Sequence, residues 1–440
     1  MQHVRMNAIC VVNMINTRAV KNRLIYLYII LIAFIPSPYV MSISGARFNA
    51  DRLFFVIMVG CGLLFFITSK RYKLNRIQLF LVLYFFIVLF NNLFIGQLQL
   101  MSVYISALLI LLASNELRIE SLIRAIHFAF YAYFFWAGYS LVQFFISGPV
   151  VELPFSSYLP GFFETKLEHA KLISASYSIF PRVSFPYATP PMLSAVGALY
   201  FFFYRFLNNL YDYNRKDVYG INKASINFGI FFSIMIVMAT VSRTGTAILV
   251  AGLFTDYVVK IGGPLTTKSI FQFIFKCIAV FVSVWALLLI MKLIPELDWI
   301  LSRMFSSTSA FDSSVSGGHL SVRIMGLQHF LELDWLQKLF GIGYLNFTGL
   351  HYHSSFLTAL IEIGLIGSVS LIGIVLYPAI KAAKVVLKRS PGISRIYARY
   401  MIVTSASLFM AHVVYEMPYV QSLWFFWALA VLLSREGQSE

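Results

Sequence analysis

Apolar runs long enough to cross ~30 Å of hydrocarbon as a helix, about 20 residues each, recur along almost the whole 440-residue chain. Twelve candidate spans lie near 24–43, 52–69, 77–95, 98–113, 122–146, 189–207, 226–241, 244–260, 271–294, 354–380, 397–416 and 419–433. The pairs 77–95/98–113 and 226–241/244–260 are tightly joined, so merging or splitting one changes the count by one. Composition agrees, with 59% apolar residues and 12% charged where soluble domains carry about 25% charged. That excludes a cytosolic enzyme, a disordered chain and a disulfide-stapled module. The expected fold is all-α: a polytopic integral membrane protein of about 12 transmembrane helices, forming a single membrane domain over residues 1–440. Arg5, Arg18, Lys21 and Arg23 precede the first span, whose long apolar run without an A-x-A site reads as an uncleaved signal anchor.

The net charge of +16 could mark a nucleic-acid binder, but its distribution argues otherwise. With the N-terminus inside, residues 1–23 and 68–76 each carry +4 and residues 381–399 carry +6. The inward segments together account for the whole net charge, while the outward loop 295–353 carries −2. This is the positive-inside pattern, with both termini cytoplasmic and the basic residues meeting anionic headgroups. Cys10, Cys61 and Cys277 have no CxxC spacing, so neither a zinc site nor a disulfide framework is expected.

Two outward loops, 147–188 and 295–353, far exceed the about 12–15 residues beyond which loops are usually functional or disordered. The first combines Pro154, Pro160, Pro181 and Pro186 with many aromatics. The second holds Leu320, Ile324, Leu327 and Leu331 at the spacing of an amphipathic helix, with His319 and Arg323 on another face. Short amphipathic helices are therefore expected in these loops. Polar residues concentrate there and not at the midplane, where a repeat-built transporter places its site.

Four of the eight histidines, His319, His329, His351 and His353, fall in the second loop. His353 stands at the mouth of the span 354–380, where an imidazole is either a polar helix cap or a general base. His351 and His353 lack a carboxylate-rich partner set, so no metal is expected. Arg243, in VSRTG, is either a snorkelling helix-end residue or a fork for phosphate oxygens beside a helix N-terminus. Arg303, Arg323 and Arg182 are further outward arginines, each by itself readable as a solvated loop charge. Together with the histidines they suit a lipid-linked diphosphate and a hydroxyl nucleophile. No Asp-x-Asp pair occurs in the outward loops, which disfavours a metal-dependent nucleotide-sugar transferase.

The run SVRIMGLQHFLELDWLQKLFGIGYLNFTGLHYHSSFLTALIEIGLIG, residues 321–367, resembles the bacterial O-antigen polymerase and O-antigen ligase superfamily. The likeness lies in the loop arginine Arg323, the amphipathic helix, the G-x-G of Gly341 and Gly343, His353–Ser354, and the E-x-G-x-x-G of Glu362, Gly364 and Gly367. VSRTG at 241–245 is similar to the family's S-R-[ST]-[GA]. A weaker likeness starts at Arg182, where Phe185 and Pro191 replace the family's glycine and asparagine. The family-like region covers about 226–380.

The resemblance implies a metal-independent, inverting glycosyltransferase of the bacterial inner membrane, without cofactor, working at its periplasmic face. The implied donor is an undecaprenyl-diphosphate-linked oligosaccharide. Arg243 and Arg323 would hold the diphosphate and His353 would activate the acceptor hydroxyl, with Arg182, Arg303, His351 and Glu362 as further substrate-binding candidates. HSSFL followed by EIGLIG looks closer to the polymerases, which work with a chain-length-determining co-polymerase. The alternative is a ligase transferring the glycan to lipid A–core. A flippase or transporter is the reading from another class, and the arginine- and histidine-bearing outward loops argue against it.

Overall fold

Residues Gln421–Glu436 form a helix apolar on every side, and such a helix has to be enclosed by others. The computed structural model describes residues 20, 22–34, 39–43, 46–49, 60, 75–94, 100–113, 117–147, 163–165, 183, 187, 189–240, 242–261, 319–343, 352, 354–387, 392–415 and 420–436. These residues form helices α1 (Asn22–Phe34), α2 (Arg76–Phe94), α3 (Leu100–Leu112), α4 (Ile119–Ser147), α5 (Pro190–Asn214), α6 (Lys223–Ala239) and α7 (Arg243–Ile261). They continue with α8 (His319–Glu332), α9 (Trp335–Phe340), α10 (Ser355–Glu362), α11 (Gly364–Leu387), α12 (Ile393–Val414) and α13 (Gln421–Glu436). Every residue from Leu423 to Leu433 is buried, because α3, α4, α5, α11 and α12 surround α13. The helix α12 is the second hub, packed by α5, α7, α10, α11 and α13.

The helical expectation holds in outline. Two described stretches, Ile119–Val142 and Gly364–Ala383, are long and apolar enough to cross a membrane, and Asn22–Phe34, Arg76–Asn91 and Lys223–Ala239 are shorter apolar helices. The described residues do not establish twelve spans. The expected spans 52–69 (save residue 60) and 271–294 lie outside them. Exposed apolar side chains follow helical spacing on several outer faces: Leu79, Leu83, Phe86 and Phe90 on α2, and Phe231, Met235 and Met238 on α6. Stripes of that kind are unusual on a water-facing surface.

Two expected spans differ from the structure. Within the run 24–43, in keeping with a sequence that has Pro36 and Pro38 between the two elements, α1 covers the residues to Phe34 and Tyr39–Ile43 is strand β1. With β2 (Ala46–Asn49) and β3 (Phe163–Thr165) it forms a three-stranded antiparallel sheet in the order β2-β1-β3. Its registers pair Val40 with Asn49 and Met41 with Phe163, which ties the chain after α1 to the loop 147–188. The run 354–380 is two helices, α10 and α11, broken at Gly364, whose φ of 69° ends the first.

The segments expected on the cytoplasmic side meet at one end of the bundle. The Ala113 carbonyl, just past α3, accepts from Asn75 (3.2 Å) and from Arg435. The Arg118 N–H donates to Asn22, and Arg124 of α4 donates to the Tyr219 carbonyl in the α5–α6 turn. Asp256 of α7 binds Arg205 of α5 and Arg399 of α12. These contacts bring the starts of α1, α2, α4, α6 and α12 and the ends of α3, α5, α7 and α13 to the same end.

Pro378 lies inside α11 and has no N–H for the Ile374 carbonyl. The Trp427 indole donates to that carbonyl at 2.8 Å, and the next N–H, of Ala379, turns to Ser405 Oγ at 3.2 Å. The carbonyl that Pro378 leaves unpaired and the N–H one residue on are therefore satisfied from α13 and α12 respectively. We expect Trp427→Phe, which strands the carbonyl, to cost about 1–3 kcal/mol, measured as a lowered Tm of the detergent-purified protein. An unchanged Tm would show that the carbonyl needs no partner.

Candidate functional site

At the opposite end of the bundle, helix ends and breaks crowd together, and each leaves carbonyls in need of donors. The C-terminus of α12 is covered from three directions. Arg323 of α8 donates from Nη2 to the Val414 carbonyl at 2.8 Å. Ser355 donates to the Tyr415 carbonyl from both its backbone N (3.2 Å) and its Oγ (2.9 Å). Ser354 Oγ reaches the His412 carbonyl at 3.4 Å. A guanidinium at a helix C-terminus also meets the negative end of its dipole. Arg323 is half-buried, and that burial draws its pKa below the ordinary arginine value; the group stays charged.

The G-x-G and E-x-G of the sequence lock together. Gly341 (φ 85°) and Gly364 (φ 69°) both occupy left-handed backbone. A Cβ on Gly341 would collide with the Glu362 carbonyl, and one on Gly364 with the Leu339 carbonyl. The close approach lets Ile342 N donate to the Ile361 carbonyl (2.9 Å) and Gly343 N to the Glu362 carbonyl (3.0 Å). Buried Asn91 of α2 spans the junction, donating to the carbonyls of Phe340 and Glu362. Glu362 is thus the last residue of α10, at a helix break, and Tyr84 is close enough to feel its charge.

Arg243 is the first residue of α7 and is exposed, whereas its neighbours Ser242 and Thr244 are buried. The next residue, Gly245, presses against Ser194 of α5 and Val237 of α6, leaving no room for a Cβ. Arg243 and Arg323 belong to the same end. Asp256 and Arg399 pair near the other end of α7 and α12. Arg243 lies about 20 Å back along α7 from that pair, and Val414 about 22 Å forward along α12, at 1.5 Å per residue. Val183 donates to the Ala239 carbonyl (3.1 Å) just ahead of Arg243, which brings the end of the first long loop to this place.

Of the expected site residues, Arg243, Arg323 and Glu362 are described and lie at or near this end. His353, His351, Arg303 and Arg182 lie outside the described residues. The neighbours of His353, Tyr352 and Ser354, are both buried.

Sequence reasoning missed three features here. Asn91 belongs to an Asn-Asn pair interrupting an apolar run, and that interruption was its only signal. Tyr133, Tyr187 and Ser422 share hydroxyl hydrogen bonds, with Tyr187 at 3.1 Å from Tyr133 and 2.6 Å from Ser422. His412 is wholly buried between Phe356 and Trp424, and neither ring nitrogen has a hydrogen-bond partner among the described residues.

No protein-family model matches the chain, and comparison with curated proteins finds no match. The motifs rest on their own residues and contacts.

The glycine lock is testable. Gly341→Ala and Gly364→Ala should each cost about 1–3 kcal/mol through backbone strain and lower the Tm. Gly373→Ala in the same region should not, because its Cβ would meet only ordinary contact with Phe80. Equal Tm values for all three would remove the lock.

Proposed function

We propose that this protein is an inner-membrane polymerase that joins undecaprenyl-diphosphate-linked oligosaccharide units into O-antigen or a related surface polysaccharide. The observation that carries the reading is the run from Arg323 to Gly367, in which the motif glycines interlock and Arg323 anchors to the end of α12. Arg243 at the same end supports it, as a second cation available to a diphosphate.

In this reading both termini are cytoplasmic and the site faces the periplasm. His353 takes the proton of the acceptor hydroxyl, whose oxygen attacks the anomeric carbon from the face opposite the donor lipid. The bond from that carbon to the diphosphate oxygen breaks, and the electron pair leaves with undecaprenyl diphosphate. The anomeric centre is inverted. Arg243 and Arg323 offset the charge that builds on the leaving group, the task a metal performs in other transferases. Arg182, Arg303, His351 and Glu362 line the substrate path, and a co-polymerase sets chain length.

A knockout viewed on a lipopolysaccharide gel tests the class. Loss of a polymerase leaves core bearing a single repeat unit. Bare core, with polymer held on the lipid carrier, would make the protein a ligase, and an unchanged ladder would exclude O-antigen assembly altogether.

Point variants test the site. His353→Ala should lower the rate about 10²–10⁴-fold, as loss of a general base does. Arg243→Ala and Arg323→Ala should each lose about 10²–10³-fold, as loss of an electrostatic donor does. Membrane insertion, followed by blotting of membrane fractions, should be normal for all three. Full complementation by all three variants would remove the mechanism.

A further inference from the structure

The end of the bundle opposite the proposed active site holds a charged cleft. Arg205 of α5, Asp256 of α7 and Arg399 of α12 line a small open cleft with Asn209, Phe202 and Val403. Asp256 is only 8% exposed, and Arg399 grips it with both arms of its fork, Nε on Oδ1 and Nη2 on Oδ2 at 2.7 Å. That pair is complete by itself, since a bidentate guanidinium satisfies one carboxylate.

Arg205 is a second cation on the same carboxylate, with Nη2 3.0 Å from Oδ2 and its guanidinium 5.6 Å from the centre of the Phe201 ring. Two positive charges therefore face one negative charge. The nearest acid further along α5, Asp212, is already bound to Lys223 at 2.7 Å. Later charges on α7 and earlier ones on α12, Lys260 and Arg395, are also positive. Arg205 keeps 38% of its side chain exposed, so the positive charge in excess among the described residues is accessible. An oxyanion with several acceptor oxygens fits a guanidinium in such a place.

We propose that this cleft binds the phosphate of an anionic phospholipid in the leaflet at that end of the bundle. The phosphate meets the guanidinium of Arg205 at the mouth of the cleft, and the acyl chains stay in the surrounding leaflet. Basic pockets between membrane helices near the cytoplasmic face take headgroups in this way. The proposal rests on the membrane reading and is independent of the glycosyl-transfer reading, because the cleft lies at the other end of the bundle and its test reads lipid and not sugar.

The full-length protein in dodecyl maltoside is mixed with phosphatidylglycerol, phosphatidylcholine or inorganic phosphate, and bound lipid is read by native mass spectrometry. Phosphatidylglycerol should be retained over phosphatidylcholine, and Arg205→Gln should reduce that preference about five-fold, the scale of one basic residue at a membrane surface. Arg205→Lys should keep most of it. Asp256→Asn, which removes the competing anion, should retain phosphatidylglycerol at least as well as the wild type even though its Tm falls. An unchanged preference in Arg205→Gln overturns the proposal and leaves Arg205 as an ionic staple between helices. Inorganic phosphate displacing phosphatidylglycerol at millimolar concentration overturns the lipid assignment in favour of a free-phosphate site.

Discussion

A carbonyl that has lost its helical donor cannot be left bare among apolar side chains, where it costs several kcal/mol. Among the described residues, several such carbonyls are answered from a distant part of the sequence. Ile374 is answered by Trp427, Val414 by Arg323, Tyr415 by Ser355, and the Phe340 and Glu362 carbonyls by Asn91. These donors lock the helices in register where apolar packing alone would let them slide. The enclosed helix α13 and the hub α12 take part in most of these contacts.

The same requirement shapes the proposed site. Helix ends gather there because α10 is short, α9 stops at Gly341 and α12 stops just below Arg323. Using Arg323 as a cap does not compete with using it for catalysis. Its Nη2 donates to the Val414 carbonyl, which holds the guanidinium against the end of α12. A cation that needs no reorganisation stabilises developing charge more effectively than a mobile one. Arg243 is held differently: buried Ser242 and Thr244 flank it at the start of α7, and Gly245 seats that helix against α5 and α6.

Much of the helical framework was legible in the sequence, because period and length carry it. Helices α2 to α7, α12 and α13 begin and end within a few residues of the apolar runs, α5 excepted, which runs on to Asn214. The departures have local causes. The strand β1 follows a prolyl pair inside a run whose Val40 and Ile43 read equally as helix or strand. The break at Gly364 was hidden because one glycine in an apolar stretch is usually tolerated inside a helix; only its mate Gly341 makes it a break. Asn91 was beyond reach for another reason. Its partners are main-chain carbonyls 249 and 271 residues away, and a carbonyl has no letter in the sequence. The arginines were legible as candidates, but the capping role of Arg323 was not, since it depends on where α12 ends.

Charge is sorted between the two ends by different physics. At the end holding Arg205, Asp256 and Arg399, an acid at 8% exposure survives only because guanidinium groups surround it, and the surplus there is positive. At the other end the polar groups among the described residues are mostly hydroxyls, amides and main-chain atoms, with Arg243 and Arg323 as the described arginines. The net charge of +16 therefore says little about either arginine. It is carried by the segments expected on the cytoplasmic side. What distinguishes Arg243 and Arg323 is their placement by helix termini, Arg243 at the start of α7 and Arg323 against the end of α12, about 20 Å along α7 and about 22 Å along α12 from the ion cluster at 1.5 Å of rise per residue. In the proposed reading, a substrate with a lipid tail and a diphosphate head meets these two cations at that end of the bundle, with the apolar stripes on the bundle's flanks against its tail.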